Sequence, residues 1–519
     1  KVCDPTTQTC AAPTCTDKVQ NGDETDVDCG GATCLACADG KLCNKGADCT
    51  SKVCDPKTGK CLKATCSDKV QNGSEIGVDC GGACPPPPTW YLDGDGDTYG
   101  AGAGTTACTA PSSKHVKAAG DCDDKAKTTY PGAPDSWGDC IDQDCDGLDF
   151  TVGDGSAGSL SVTGATTLAA FSTTLSASAS AGATSIQVAN AGGFKAGSLV
   201  LIRTVSGSST LTGTWELGEV TGVSGTTLTL ASSLNNAYSI SYKVRVALVP
   251  SYTDVTVGSG GTLRPSAWDG TKGGVLALAV TGRLTLNTGG AISAAALGYR
   301  GGGRTTVKTQ VGTQGESMAG YGGRSTLANL TGGGGGHSPG LTHACGGGGG
   351  YGTAGVAGGH CCGGHSRTPG AGGGTAGDKS ITRLLLGGGA GGGGLDSDAG
   401  SGSYGGAGGE GGGVLLLLVS KLKLSGGTIT ANGGKGEDGK YTGSASPGGG
   451  GGGAGGSIIV VPATVEAALA SLQAKGGSGG KGTEAGGSPT YGGLGGSGRI
   501  RILKTGTFNT APTAYQSCP

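Results

Sequence analysis

Gly412-Gly413-Val414-Leu415-Leu416, then Leu422-Lys423-Leu424, a Gly426-Gly427 turn and Ile429-Thr430-Ala431-Asn432-Gly433-Gly434, is the stretch whose reading decides the fold. The same order of features returns on both sides of it. Gly273-Gly274-Val275-Leu276-Ala277-Leu278 leads to Leu284-Thr285-Leu286, a Gly289-Gly290 turn and Ile292-Ser293-Ala294. Gly456-Ser457-Ile458-Ile459-Val460 leads to Leu472-Gln473-Ala474-Lys475-Gly476-Gly477, and Gly498-Arg499-Ile500-Arg501-Ile502 closes the series. Each segment is a few short strands that cannot bury an apolar face alone, so stacking is required and residues 255–505 are expected to form a glycine-rich β-solenoid. The apolar run Val414 to Val419 suits a buried strand and is far too short to cross a membrane, so no membrane insertion is expected.

Between these segments run tracts such as Gly332 to Gly336, Gly346 to Gly350 and Gly448 to Gly453. Glycine tracts are commonly flexible linkers. Here they sit inside repeating strand segments and carry Leu384, Leu385 and Leu386, which need burial. Ordered, polyproline-II-like tracts are therefore expected, because extended glycine strands pack side by side when no Cβ intervenes. This region resembles the glycine-rich β-helical tips of bacterial and phage adhesins. Upstream, residues 150–254 alternate Ser, Thr and Val in short strands, among them Ser185-Ile186-Gln187-Val188 and Val244-Arg245-Val246, separated by glycine turns. That spacing predicts a small all-β barrel or sandwich, and the segment resembles compact β-barrels of phage tail and bacterial adhesin proteins. Residues 506–519 read as a C-terminal tail.

The composition agrees with a mainly β, multidomain chain that cannot rely on one conventional core. Glycine numbers 116 of 519 residues, about three times its usual share, while aromatics are 4% and charged residues 14%. Order has to come from backbone hydrogen bonds, cross-links and bound ions. A net charge of -2 gives no electrostatic basis for nucleic-acid binding. Of 21 cysteines, 17 precede residue 146, in segments almost without apolar residues. That density reads as a disulfide framework made in an oxidising compartment outside the cytoplasm. Zinc knuckles would instead favour tight Cys-x-x-Cys pairs, and Cys34 with Cys37 is the single example.

Residues 1–84 are a cysteine-rich repeat. Lys1-Val2-Cys3-Asp4-Pro5 returns as Lys52-Val53-Cys54-Asp55-Pro56, and Asp17-Lys18-Val19-Gln20-Asn21-Gly22 returns identically at Asp68 to Gly73. One complete unit runs from Cys15 through Cys29, Cys34, Cys37, Cys43, Cys49 and Cys54 to Cys61, an even set of eight that suits a self-contained module. Residues 1–14 then read as the tail of an earlier unit, so further repeats are expected upstream. A second unit beginning at Cys66 is cut short by the stiff spacer Pro85 to Pro88. Disulfide connectivity is open at this level. The repeats resemble the "NGxETDVDCGG" cysteine-rich modules of large surface proteins from predatory and gliding Gram-negative bacteria, of the myxobacterial type, which implies location more than activity.

Residues 89–149 carry three acidic loops. Asp93-Gly94-Asp95-Gly96-Asp97 is followed by Asp121-Cys122-Asp123-Asp124 and by Asp142-Gln143-Asp144-Cys145-Asp146. Alternating aspartates on a glycine-bent loop set several carboxylates around one point, as a hard oxygen-seeking cation requires. An EF-hand would place a bidentate Glu at loop position twelve, where Gly104 stands, so further ligands must come from the later loops. Calcium is the expected ion, with Asp93, Asp95, Asp97, Asp121, Asp123, Asp124, Asp142, Asp144 and Asp146 as ligands. Cys108, Cys122, Cys140 and Cys145 are expected to hold these loops together. The plainer alternative is a solvated acidic loop. The whole stretch resembles the MopE-type metal-binding motif; the copper in that family's label is not supported by oxygen-only ligands.

A second cluster, His337, His343, Cys345, His360, Cys361, Cys362 and His365, offers either a metal site or one or two disulfides. The odd cysteine total leaves at least one thiol free or paired with another chain, and Cys518 is the candidate for an intermolecular link. No nucleophile motif stands in a strand–turn–helix setting, and glycine patterns here follow from composition alone. The expectation is a secreted, non-enzymatic structural protein at the cell surface, self-associating into an extracellular fibre, filament or coat. The alternative is a stalk-and-tip adhesin that grips a surface glycan or another cell, with Tyr299, Tyr321, Tyr351, Tyr404 and Tyr441 as the aromatics available for contact.

Overall fold

Solenoid strands stack in the register set by the aligned glycine that directly precedes each of them. A computed structural model describes residues 2, 3, 6, 10–133, 141–145, 153–338, 344–359, 368–442, 447–466, 472–482 and 489–502. Among them there is no α-helix, and no helix is long and apolar enough to cross a membrane. The chain divides into two compact units, Lys1–Ala133 with Gln143–Asp146, and Pro134–Asp142 with Gly147–Pro519.

In the second unit Val275 pairs with Val414, Val414 with Ser457, and Ser457 with Arg499, all in parallel strands. The shorter strands after each turn form a second parallel sheet, with Ile292 beside Ile429 and Ile429 beside Leu472. The solenoid starts earlier than residue 255. Leu160–Val162 pairs with Val255–Val257 and Ala165–Thr167 with Thr262–Arg264, so these strands are the first coil. Those strands are three residues long and weakly apolar, so only their partners reveal them.

The long strands bury both faces. Leu415, Leu417, Val419 and Leu422 fill the solenoid interior with Leu276, Leu278, Leu284, Ile458 and Val460. Leu416 and Leu418 face outward into a second core made with Trp215, Tyr351, Leu384, Leu385 and Leu386. A strand covered on both sides reads as a continuous apolar run, which accounts for Val414 to Val419.

The β-domain is inserted between the first and second coils. Six antiparallel strands run in the order Ser172–Thr174, Lys243–Leu248, Ser198–Ser206, Trp215–Ser224, Thr227–Leu230 and Ser185–Gln187. A bridge from Leu175 to Val188 joins the two outermost strands and closes a barrel. Val200, Ile202, Val220, Leu228, Val244 and Val246 point into it. On Ser198–Ser206 the alternate residues Leu199, Leu201 and Val205 leave the barrel and join the second core.

The glycine tracts are polyproline-II-like helices packed in a lattice. Such a helix has three residues per turn and no internal hydrogen bonds, so every N–H must find another chain segment. Gly387, Ala390 and Gly393 donate to the carbonyls of Gly412, Gly409 and Gly406. Gly388, Gly391 and Gly394 donate to Gly350, Gly347 and Ala344, while Gly389 and Gly392 donate to Glu316 and Thr313. Donors three apart meet one neighbour, and the three faces meet three neighbours.

In the first unit the eight cysteines of the complete repeat pair among themselves, as Cys15–Cys34, Cys29–Cys37, Cys43–Cys54 and Cys49–Cys61. Buried Cys37, Cys43, Cys49 and Cys61 are the core itself. The repeated hexapeptide builds the same loop twice: the Lys18 N–H donates to the Asp28 carboxylate and the Lys69 N–H to that of Asp79. The truncated unit keeps Cys66–Cys84, but its Cys80 has lost the counterpart of Cys37 and bonds to Cys108 instead. Cys108 therefore does not close the acidic loops on themselves, as the sequence suggested. Cys122–Cys145 does tie two of them, and Cys140 lies outside the described residues.

Candidate functional site

The first acidic loop is the tip of a hairpin. Thr89–Leu92 runs antiparallel to Tyr99–Thr106, and Asp93 to Thr98 span the turn. Ala118–Ala119 pairs parallel with Tyr99–Gly100, which delivers Asp121 to Asp124 to the same place. Gly94 approaches so closely that a Cβ there would lie 2.6 Å from the Asp124 carbonyl oxygen, and its N–H donates to Asp124 Oδ1 at 2.6 Å.

Each carboxylate spends an oxygen on the backbone. Asp93 Oδ1 accepts from Gly96 N–H at 2.6 Å, Asp95 Oδ1 from Asp97 at 3.2 Å, Asp97 Oδ1 from Tyr99 at 2.8 Å, and Asp121 Oδ1 from Asp123 at 2.8 Å. The second oxygens of Asp95, Asp97 and Asp121 are sealed from solvent and have no donor among the described residues. Carboxylate oxygens of Asp93, Asp95 and Asp97 lie within 4.8 Å of one another. Burial, then the charges of Asp97, Asp93 and Asp124, pushes the Asp95 carboxyl above its ordinary range. Burial, then Asp97, Asp95 and Asp124, does the same to Asp121, which is 8% exposed. Orphaned, mutually repelling oxygens in a group that holds no His or Cys among the described residues are a donor set that fits a hard divalent cation.

Five of the nine aspartates singled out by sequence thus converge: Asp93, Asp95, Asp97, Asp121 and Asp124. Asp123 is exposed and contributes its N–H. Asp144 adjoins Cys145, which is bonded to Cys122; Asp142 is grouped with the second unit, and Asp146 lies outside the described residues.

The second cluster is described in part. The His337 backbone pairs with Thr368. Cys345 is a free, buried thiol beside the Thr490 hydroxyl at 3.7 Å, and burial pushes its pKa up, away from the thiolate that ligates metals. It is therefore not in a cystine. His343, His360, Cys361, Cys362, His365 and Cys518 lie outside the described residues.

A further set of groups gathers at one end of the glycine lattice. Tracts run into strands at one end, with Gly413 before Val414, Gly456 before Ser457 and Gly498 before Arg499. Their opposite ends carry loops held to one another. Tyr404 and Lys440 exchange backbone hydrogen bonds at 2.8 and 3.0 Å, Gly439 donates to Lys481 at 2.8 Å, and Gly405 exchanges with Thr305. Arg304 pairs with Glu437 and lies 4.4 Å over the Tyr404 ring. That guanidinium, more than any other group, holds the Glu437 carboxyl below its ordinary range. Tyr441 and Tyr491 are 43% and 54% exposed on these loops. Tyr404 and Tyr441 are legible in the sequence, whereas Arg304 and Glu437 are not, because they lie 133 residues apart; charged residues isolated among glycines are the available signal.

No protein-family model and no curated protein matches the chain. Among solved structures it is similar to the tailspike protein gp49 of Pseudomonas phage LKA1, at 24% identity over 26% of this chain and 23% of that one, with a TM-score of 0.16. The gp54 tailspike of Acinetobacter baumannii bacteriophage AP22, solved in complex with A. baumannii capsular saccharide, is similar at 18% identity over 26% and 27%, also with a TM-score of 0.16. The chain thus spans about a quarter of the length of these tailspikes. The likeness is local and carries no weight for function.

Proposed function

We propose that the chain is an extracellular, non-enzymatic adhesive protein, in which the glycine lattice is a rigid holder for contact loops. The observation that carries this is the gathering of loops at the end of the lattice away from the strands, with exposed Tyr441 and Tyr491 beside the Arg304–Glu437–Tyr404 cluster. Tyrosines on loops fixed by a stiff scaffold supply contact area at small entropic cost. A surface glycan is the partner whose rings and hydroxyls such residues suit. Cystines throughout the first unit fit an oxidising, extracellular setting.

Binding to whole cells and to a glycan array tests this. The double variant Tyr441→Ala/Tyr491→Ala should lose about tenfold or more in affinity while melting like the parent, because truncated contact aromatics commonly cost more than 1 kcal/mol. A protein that binds no surface and assembles into filaments of repeating mass would replace this reading with that of a fibre subunit.

Calcium at the aspartate loop belongs to the same proposal, as the ion that makes the first unit rigid. Chelation should speed proteolysis within residues 89–130 by about tenfold and leave the solenoid intact, since a bound ion stabilises only the state that binds it. Asp121→Asn should abolish the calcium protection. Equal cleavage with and without chelator would rule out the ion.

A further inference from the structure

Between the barrel and the solenoid lies a cavity of about 330 Å³, in the size range of small-molecule sites. Its wall includes Arg203 and Arg245, which are direct cross-strand partners on the outward face of the barrel sheet. Cross-strand neighbours stand about 5 Å apart at Cβ, and like charges so placed repel. Arg203 is 6% exposed, and among the described residues its one side-chain hydrogen bond runs from Nη1 to the Leu384 carbonyl at 3.0 Å. Arg245 is half-buried and uses Nη2 on Ser172. Among the described residues neither guanidinium has a carboxylate within ion-pair distance.

The cavity holds one acid and a third cation. Asp269 Oδ1 is taken by the N–H groups of Thr271 and Lys272 and by the Thr271 hydroxyl, and Lys272 also lines the space. Leu168, Leu201, Leu248 and Val275 supply apolar wall. The Asp269 charge acts on Arg245, whereas Arg203, buried beside that second guanidinium, has no carboxylate acting on it among the described residues and is costly to bury unless an anion joins the two. Two arginines lining one part-apolar space, each with one terminal nitrogen engaged and the other left over among the described residues, also suit oxyanion recognition.

We infer that this cavity binds a monosaccharide-sized organic oxyanion, its carboxylate or phosphate held between Arg203 and Arg245 and its body against the leucine wall. The site is separate from the loop tips, which lie at the far end of the glycine lattice. Burial pulls the Arg203 pKa down to about 10, which leaves it charged at neutral pH.

Calorimetric titration of the full chain with glucuronate, glucose 6-phosphate, glucose and inorganic phosphate tests the inference. The sugar acid, the sugar phosphate or both should bind about tenfold or more tighter than glucose and than inorganic phosphate, in keeping with paired charge-assisted bonds; the stronger of the two identifies the oxyanion. Arg203 also anchors Leu384, so Arg245→Gln is the informative variant. It should lose about tenfold in affinity with an unchanged melting temperature. Absence of binding by both sugar anions, equal binding of glucose, equal binding of inorganic phosphate, or an Arg245→Gln protein that binds like the parent would each overturn it.

Discussion

Gly391→Ala is expected to unfold the glycine lattice, whereas Gly303→Ala leaves it intact. A Cβ at Gly391 would lie 1.8 Å from the Gly334 carbonyl oxygen and 2.4 Å from its carbon. Both are main-chain atoms, so no side chain can rotate to make room. Gly334 is itself fixed, donating to Ala371 at 2.8 Å and accepting from Gly347 at 2.9 Å. Gly391 does not adopt positive φ, so the requirement for glycine there is one of space. Overpacking in ordinary cores costs about 1–3 kcal/mol because neighbours shift. In a lattice where every neighbour is hydrogen-bonded backbone, a shift breaks further bonds, and a loss of more than about 4 kcal/mol is expected.

Gly303 is the control, for its Cβ meets nothing within 4 Å and its φ is ordinary. Alanine there should change stability by less than about 0.5 kcal/mol. Thermal melts read by circular dichroism separate the two, and hydrogen exchange should show the amides of 387–394 exposed in Gly391→Ala alone. Similar melts for both variants would mean that the tracts are not packed as described.

The contrast between these glycines also shows where sequence was enough. The aligned glycines before each long strand gave the solenoid register to the residue, because each marks the same corner of its coil: Val275, Val414, Ser457 and Arg499, each directly after a glycine, stack in line. The first coil was not legible, since Leu160-Ser161-Val162 looks like any barrel strand until Val255–Val257 lies beside it. The local aspartates Asp93, Asp95 and Asp97 were legible as a group because one hairpin turn holds them. Which later acids join them depends on where Ala118–Ala119 pairs, a tertiary fact. The even set of eight cysteines predicted a closed module, but Cys80 shows the limit: truncation removed its partner, and only folding shows Cys108 in that role. Arg203 left one trace in sequence, the single charge within a buried strand, as Leu201-Ile202-Arg203-Thr204-Val205.

Reduction is expected to unfold the first unit and spare the second. The complete repeat has no apolar core beyond its cystines: Cys37, Cys43, Cys49 and Cys61 are buried, while Leu35 is 86% exposed and Leu42 44%. Its four bonds close loops with separations of 19, 8, 11 and 12 residues. A loop of about 15 residues contributes roughly 3 kcal/mol by restricting the unfolded chain. Four such loops sum to about 12 kcal/mol, comparable to the whole stability of a typical domain. Breaking them removes the constraint and the core together, because the sulfur pairs are both. The second unit has the opposite construction. Its described residues contain one cysteine, Cys345, which is free, and its stability comes from leucine and valine layers and from backbone bonds between tracts. Treatment with dithiothreitol followed by limited proteolysis should therefore release peptides from residues 15–84 within minutes, while a resistant fragment beginning near residue 153 persists. Far-ultraviolet circular dichroism should keep the solenoid signal throughout. If residues 15–84 stay protected after full reduction, cystine is not what holds that unit, and the repeated loop network around Asp28 and Asp79 would have to carry it.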